Sequence, residues 1–217
     1  MPNALQEVPD VEEKPVTERQ SSRVLRYLTL AVAALLLLGS GWTAAILATG
    51  RTPNDTSAEA GFARDMSRHH AQAVEMAMVA YAKGADPAVR QMGYDMALTQ
   101  QAQIGQMQRW LQEWELLPTG SRPAMAWMSD GAQPGPDGLM PGMATREQII
   151  GLHEARGSEV DRIFLELMIT HHLGGIHMAD AVLTMSDRPE VLKMAEAMKR
   201  LQQQEITEMR QLQQARP

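Results

Sequence analysis

The chain is 217 residues long with a net charge of −6 and a pI near 5.5, and no basic cluster is interleaved with aromatics, so a nucleic-acid binder is not expected. It has no cysteine, which excludes disulfide staples and thiolate metal sites. Sixteen of its seventeen methionines and all six histidines lie at or beyond Met66, so the N-terminal part differs chemically from the rest.

Residues 1–26 are polar, charged and proline-bearing and read as a disordered tail. The segment 27–49 contains a charge-free apolar run, Leu28 to Thr49. As a helix that run would extend roughly 33 Å, enough to cross a bilayer core, so a single transmembrane helix is expected. Arg19, Arg23 and Arg26 precede it and only Arg51 closely follows. The positive-inside rule then puts the tail in the cytoplasm and everything after a linker at 50–56 outside the cytoplasm. Secretion after signal cleavage is the rival reading, but no clear small-x-small site ends the run. Both export the C-terminal part.

An internal duplication organises that part. "MSRHHAQAVEMA" at Met66–Ala77 and "MITHHLGGIHMA" at Met168–Ala179 share the frame M-x-x-H-H-x-x-x-x-x-M-A. At the same offset of 102, Glu59–Glu115 aligns with Asp161–Pro217 without a gap. Each copy reads as two helices. "TSAE" at Thr56–Glu59 is a capping-box candidate, Gly84 a stop, and Asp86-Pro87 a new start for a helix to about Leu117. The second copy repeats the plan, from about Ser158 to Met185 and from Arg188 to about Ala215. The expected fold is all-α: hairpins 57–117 and 158–217 forming an antiparallel four-helix bundle, joined by a Met/Pro/Gly-rich loop and short helix over 118–157. "TREQ" at Thr145–Gln148 is a capping box that opens the short helix, through about Glu154.

The chemistry sits on one helical face. At roughly 100° per residue, Phe62, Met66, His69, His70, Ala73, Met76 and Ala77 share one arc, and Phe164, Met168, His171, His172, Gly175, Met178 and Ala179 share its counterpart. Glu75 and His177 point away. Ala73, Gly174 and Gly175 would let the two histidine-bearing helices approach closely. Buried imidazoles need partners, and no Asp or Glu lies on either arc to serve. Imidazole with thioether, free of thiolate and carboxylate, suits Cu(I) and by the same softness Ag(I). Protons compete for the same nitrogens, so affinity is expected to fall as pH drops through the ordinary histidine range.

Other readings of these residues stand beside that one. Met92, Met96, Met107, Met194, Met198 and Met209 read as core filler. The loop pairs Met125/Met128 and Met140/Met143 read either as secondary thioether sites or as hydrophobic lids. A module whose histidine pairs bond each other, backbone or buried water is the main rival to metal binding, and a copper redox enzyme is a more distant one. No Glu-x-x-His occurs for a di-iron bundle, and neither a nucleophilic triad nor a glycine-rich phosphate loop is evident. No enzyme is expected.

"FARDMSRHHAQAVEMA", "MPGMATREQIIGLHEARGSEVDRIFLELMITHHLGGIHMA" and "QQAQIGQMQRWL" together resemble the domain of unknown function 305 family (DUF305), which includes CopM-like periplasmic copper-binding proteins. The resemblance covers about Thr56 to Gln214. It implies a ferritin-like helical bundle without a di-iron centre, binding Cu(I) and Ag(I) through methionine and histidine. Carried over by position, it implies Met66, His69, His70, Met76, Met168, His171, His172 and Met178 as ligands, with Met140 and Met143 from the loop motif. The N-terminal anchor departs from the CopM-like members. A metal ion and the membrane are the expected partners; the identity of any metal-transfer protein is not readable.

Overall fold

The computed structural model describes residues 26–37, 52–135 and 137–215. The chain divides into two units at Thr52–Pro53. In the first, residues 26–37 form a helix, α1, whose Leu28, Leu30, Val32, Leu35, Leu36 and Leu37 are exposed. Residues 1–25 of the expected tail and 38–49 of the expected membrane span lie outside the described residues. Among the described residues no helix is long and apolar enough to cross a membrane.

The second unit is helical throughout its regular elements, with no strand among the described residues. Its helices are α2 (Ala58–Lys83), α3 (Pro87–Glu113), α4 (Arg146–Glu154), α5 (Ser158–Met185) and α6 (Pro189–Gln214). Local chemistry sets their ends. Ser57 caps α2 by accepting from the Ala60 N–H, so the N-cap is one residue later than the box expected at Thr56. Asp86 caps α3 through the Ala88 N–H, and Pro87 occupies the first turn, where its missing N–H costs nothing. Thr145 and Gln148 exchange both bonds of a capping box at α4. α3 stops at Glu113, short of the expected Leu117, and Glu115 takes a left-handed φ of 57° as the chain turns away.

Helix α2 packs on α3, α5 on α6, and the two hairpins meet through α2 and α5. The α2–α5 pair is antiparallel: Asp161, in the first turn of α5, accepts from the N–H groups of Ala85 and Asp86 just beyond α2. Because the duplicated frames run in opposite directions, each methionine meets its non-equivalent partner. Met66, Met178 and Met140 lie in one apolar cluster with Met107 and Met198. Met76 and Met168 lie in a second, with Met96 and Met209. The bracketing methionines therefore pair across helices instead of flanking one pair each.

The linker is packed, not loose. Asp65 of α2 accepts through Oδ2 from the Met125 N–H at 2.7 Å and from the Trp127 indole at 2.8 Å, and Trp127 stands edge-on to Phe62. Burial raises the Asp65 pKa, while those two donors oppose the shift. Further along, the Gln72 side chain makes two bonds to the Ala144 backbone, at 2.9 and 2.7 Å. The linker is thus pinned to α2 at Asp65 and again at Gln72.

Candidate metal centre

Between the two methionine-containing clusters lies a polar layer. His69 and His171, one from each central helix, stack with ring centroids 3.7 Å apart and planes tilted by 34°. His70 and His172 complete the four, and all are buried to 1% exposure or less. The helical periodicity places two adjacent histidines on one face, and the antiparallel packing of the duplicated frames brings the two faces together. Gln202 of α6 lies against Gly175, close to His171 and His172 in sequence, and its counterpart at the offset of 102, Gln100 of α3, is equally buried, both 5% exposed.

Three of the rings are partly satisfied. The His69 Nε2–H donates to the Pro141 carbonyl at 3.3 Å, and the His70 Nε2–H to Gln103 Oε1 at 2.7 Å. The His172 Nε2–H donates to Glu205 Oε2 at 2.7 Å. That last contact corrects the expectation of a carboxylate-free neighbourhood. No acid lies on the arcs of α2 and α5, but α6 supplies one. Positions 70 and 103 are equidistant from the Asp86–Pro87 turn, as 172 and 205 are from Arg188–Pro189, so reflecting each hairpin about its turn would have found both partners.

What remains unpaired is concentrated. Among the described residues, the buried side-chain polar atoms without a partner are His69 Nδ1, His70 Nδ1, His171 Nε2, His172 Nδ1 and the Oε1 atoms of Gln100 and Gln202. Four of the six are ring nitrogens of the histidine layer. Burying such atoms unsatisfied costs about 1–3 kcal/mol each, so the layer suits something that accepts lone pairs. No three His, Cys, Asp or Glu side chains among the described residues converge to hold a metal ion by themselves. Sulfur would have to contribute, and the adjoining Met66, Met76, Met168 and Met178 are fully buried.

His69, His70 and His171 resist charge. Burial, reinforced by the neighbouring His70, lowers the His69 pKa to about 3. Burial lowers His70 to about 4 against the opposing Gln103 bond, and burial with the adjacent His69 ring carries His171 well below its ordinary value. The lone pairs of these three rings are therefore open at neutral pH and stay open well into the acid range. This moves proton competition below the ordinary histidine range expected from sequence.

Of the loop methionines, Met140 is 1% exposed and Met143 half-buried, both against the cluster that holds Met66. The turn they bracket is closed by a Met143 N–H bond to the Met140 carbonyl, and Gly142 takes a φ of +84°. It seats against Gly174 of α5, where an added Cβ would fall 1.9 Å from the Pro141 oxygen. Met125 and Met128 are buried in the same cluster as Met66. His153 and His177 are outside the layer: His153 pairs with Glu75 at 2.9 Å and His177 with Asp130 at 2.6 Å, all partly exposed. The sequence reading missed Gln100, Gln103, Gln202 and Glu205.

Known proteins share this architecture. The family described as "Domain of unknown function (DUF305)" matches residues 59–213. A search of curated proteins found no match. Among solved structures, a DUF305 protein from Streptomyces coelicolor is 40% identical, with a TM-score of 0.68 over 73% of this chain and 93% of that one. A DUF305 fragment from Deinococcus radiodurans is 31% identical, with a TM-score of 0.59 over 71% and 94%. CopM in its Cu(I)-bound form is 27% identical, with a TM-score of 0.54 over 75% and 96%, and similar matches are found to its Cu(II)-bound and Ag-bound forms. With its doubled histidine frame inside the matched region, this chain belongs to the DUF305 family.

Proposed function

We propose that this protein binds Cu(I), and Ag(I) in the same way, within a ferritin-like four-helix bundle held outside the cytoplasm. It sequesters the ion or hands it on, without turnover. His69, His70, His171 and His172 supply nitrogen, and Met66, Met76, Met168 and Met178 supply sulfur. Met140 and Met143 close the site from the loop.

One observation carries the reading: among the described residues, four of the six buried polar side-chain atoms without a partner are ring nitrogens of a single histidine layer, with thioethers in the apolar clusters to either side. Depressed imidazole pKa values keep His69, His70 and His171 neutral, and thioethers carry no charge. A soft monovalent cation costs less to bury among such donors than a hard divalent one. The bound copper and silver of CopM support the same assignment by likeness.

Competition titration of the full-length protein in detergent micelles with Cu(I) against a chromogenic chelator tests this. Replacing His69, His70, His171 and His172 together by alanine is expected to lower affinity by at least 100-fold, since the outer partners alone are worth 10–100-fold. Unchanged affinity would favour the rival reading of a structural layer satisfied by buried water.

The anchor is part of the proposal, supported by the charge-free run Leu28–Thr49 and the arginines that precede it. Membranes from expressing cells should retain the protein through alkaline carbonate washing. Its release into the wash would leave the secreted alternative.

A further inference from the structure

The second histidine of each pair is held from the neighbouring helix of its own hairpin, and the two halves use different chemistry. Gln103 and Glu205 are separated by the repeat offset of 102, yet one is an amide and the other a carboxylate. Each oxygen lies 2.7 Å from the Nε2 of its histidine. Amide and carboxylate oxygens only accept, so Nε2 carries the hydrogen in both rings. The ring lone pair is then on Nδ1, which in both His70 and His172 is buried without a partner.

We infer that Gln103 and Glu205 are positioning residues that present Nδ1 of His70 and His172 as donor atoms, and that Glu205 makes the His172 half the tighter holder of the ion. This rests on the proposed binding of Cu(I) by these histidines. A carboxylate that accepts the far N–H of an imidazole forms a stronger bond than an amide does. It also raises the donor strength of the opposite nitrogen and fixes the plane of the ring. Glu205 does this from the boundary of the protein. Its side chain is 13% exposed against 1% for His172, and it lines an open groove with Met92, Asp95 and Glu208. Gln103 supplies orientation without the extra donor strength. A sequence duplicated almost in register has thereby become a centre with two unequal halves.

The test has two arms on the full-length protein in detergent micelles. In the first, nitrogen-15 NMR of the metal-free wild type at neutral pH reads the tautomers directly. His70 and His172 are expected to carry their hydrogen on Nε2, and Nδ1–H on either ring would overturn the assignment. In the second, Cu(I) competition titration compares wild type, Glu205→Gln and Gln103→Glu. Glu205→Gln, close in shape, should weaken binding by roughly 10-fold, and Gln103→Glu should strengthen it. Affinity within twofold of wild type in both variants would overturn the inequality. Loss of the binding proposal has a different signature, namely affinity indifferent to all four histidines, and leaves the tautomer measurement interpretable by itself.

Discussion

Lowering the pH of the metal-free protein from 7.5 to 4.5 is expected to reduce its unfolding free energy by several kcal/mol. In the unfolded chain each histidine titrates near pH 6.5. In the folded protein His69 titrates at about 3 and His70 at about 4, with His171 also well below its ordinary value. Between those limits the unfolded chain binds protons that the folded layer refuses, so stability falls with falling pH. The contribution is complete above pH 6.5 and disappears progressively as the pH drops toward 3. At pH 4.5 the deficit is on the order of 2 kcal/mol each for His69 and His70, and His171 adds to it in the same direction. Asp65 acts in the opposite sense, because its folded pKa is raised and acid favours its folded form. It therefore offsets part of the loss. Denaturant midpoints at pH 7.5, 6.0 and 4.5, with chelator present, give the profile. A flat profile would mean that the rings are hydrated or charged in the folded protein.

Gly174→Ala is expected to cost about 2–3 kcal/mol, as overpacking of a well-filled site does. On an exposed helix the same change would stabilise by roughly 0.5–1 kcal/mol, so the sign itself is diagnostic. The new Cβ would fall 1.9 Å from the Pro141 oxygen and 2.6 Å from its carbonyl carbon. These are backbone atoms of the turn between Met140 and Met143, which cannot rotate aside as a flexible side chain would. The turn must lift, and with it the Pro141 carbonyl that accepts from His69. Gly105→Ala in α3 is the control. Nothing lies within 4 Å of its added Cβ, and it should raise the melting temperature where Gly174→Ala lowers it. Equal behaviour of the two variants in thermal unfolding would place the turn away from α5.

Much of this molecule is legible from local signals. Periodicity and caps do not depend on distant chain, which is why Thr145–Gln148 reads as the start of α4 and Asp86–Pro87 as the start of α3. No capping box forms at Thr56: its hydroxyl donates to Asn54 Oδ1 two residues back, and Ser57 caps the helix instead. The loop methionines were open to two readings because nothing nearby in sequence says what a Pro-Gly turn rests on. Its supports, Gly174 and His69, belong to two other helices.

The sequence by itself determined that there are two copies of one hairpin and that each presents paired histidines and methionines on a single face. Repeat offset and helical period are properties of the chain alone. Only the tertiary structure decided that the hairpins meet antiparallel through α2 and α5, so that Met66 joins Met178 and Met76 joins Met168. It also decided which atoms in the layer are left without partners, and that a glutamate from α6 reaches one histidine where a glutamine from α3 reaches another. The physical reason is the same in each case. A hydrogen bond or a shared cluster depends on the distance between side chains carried by different helices, and that distance is set by how the helices pack.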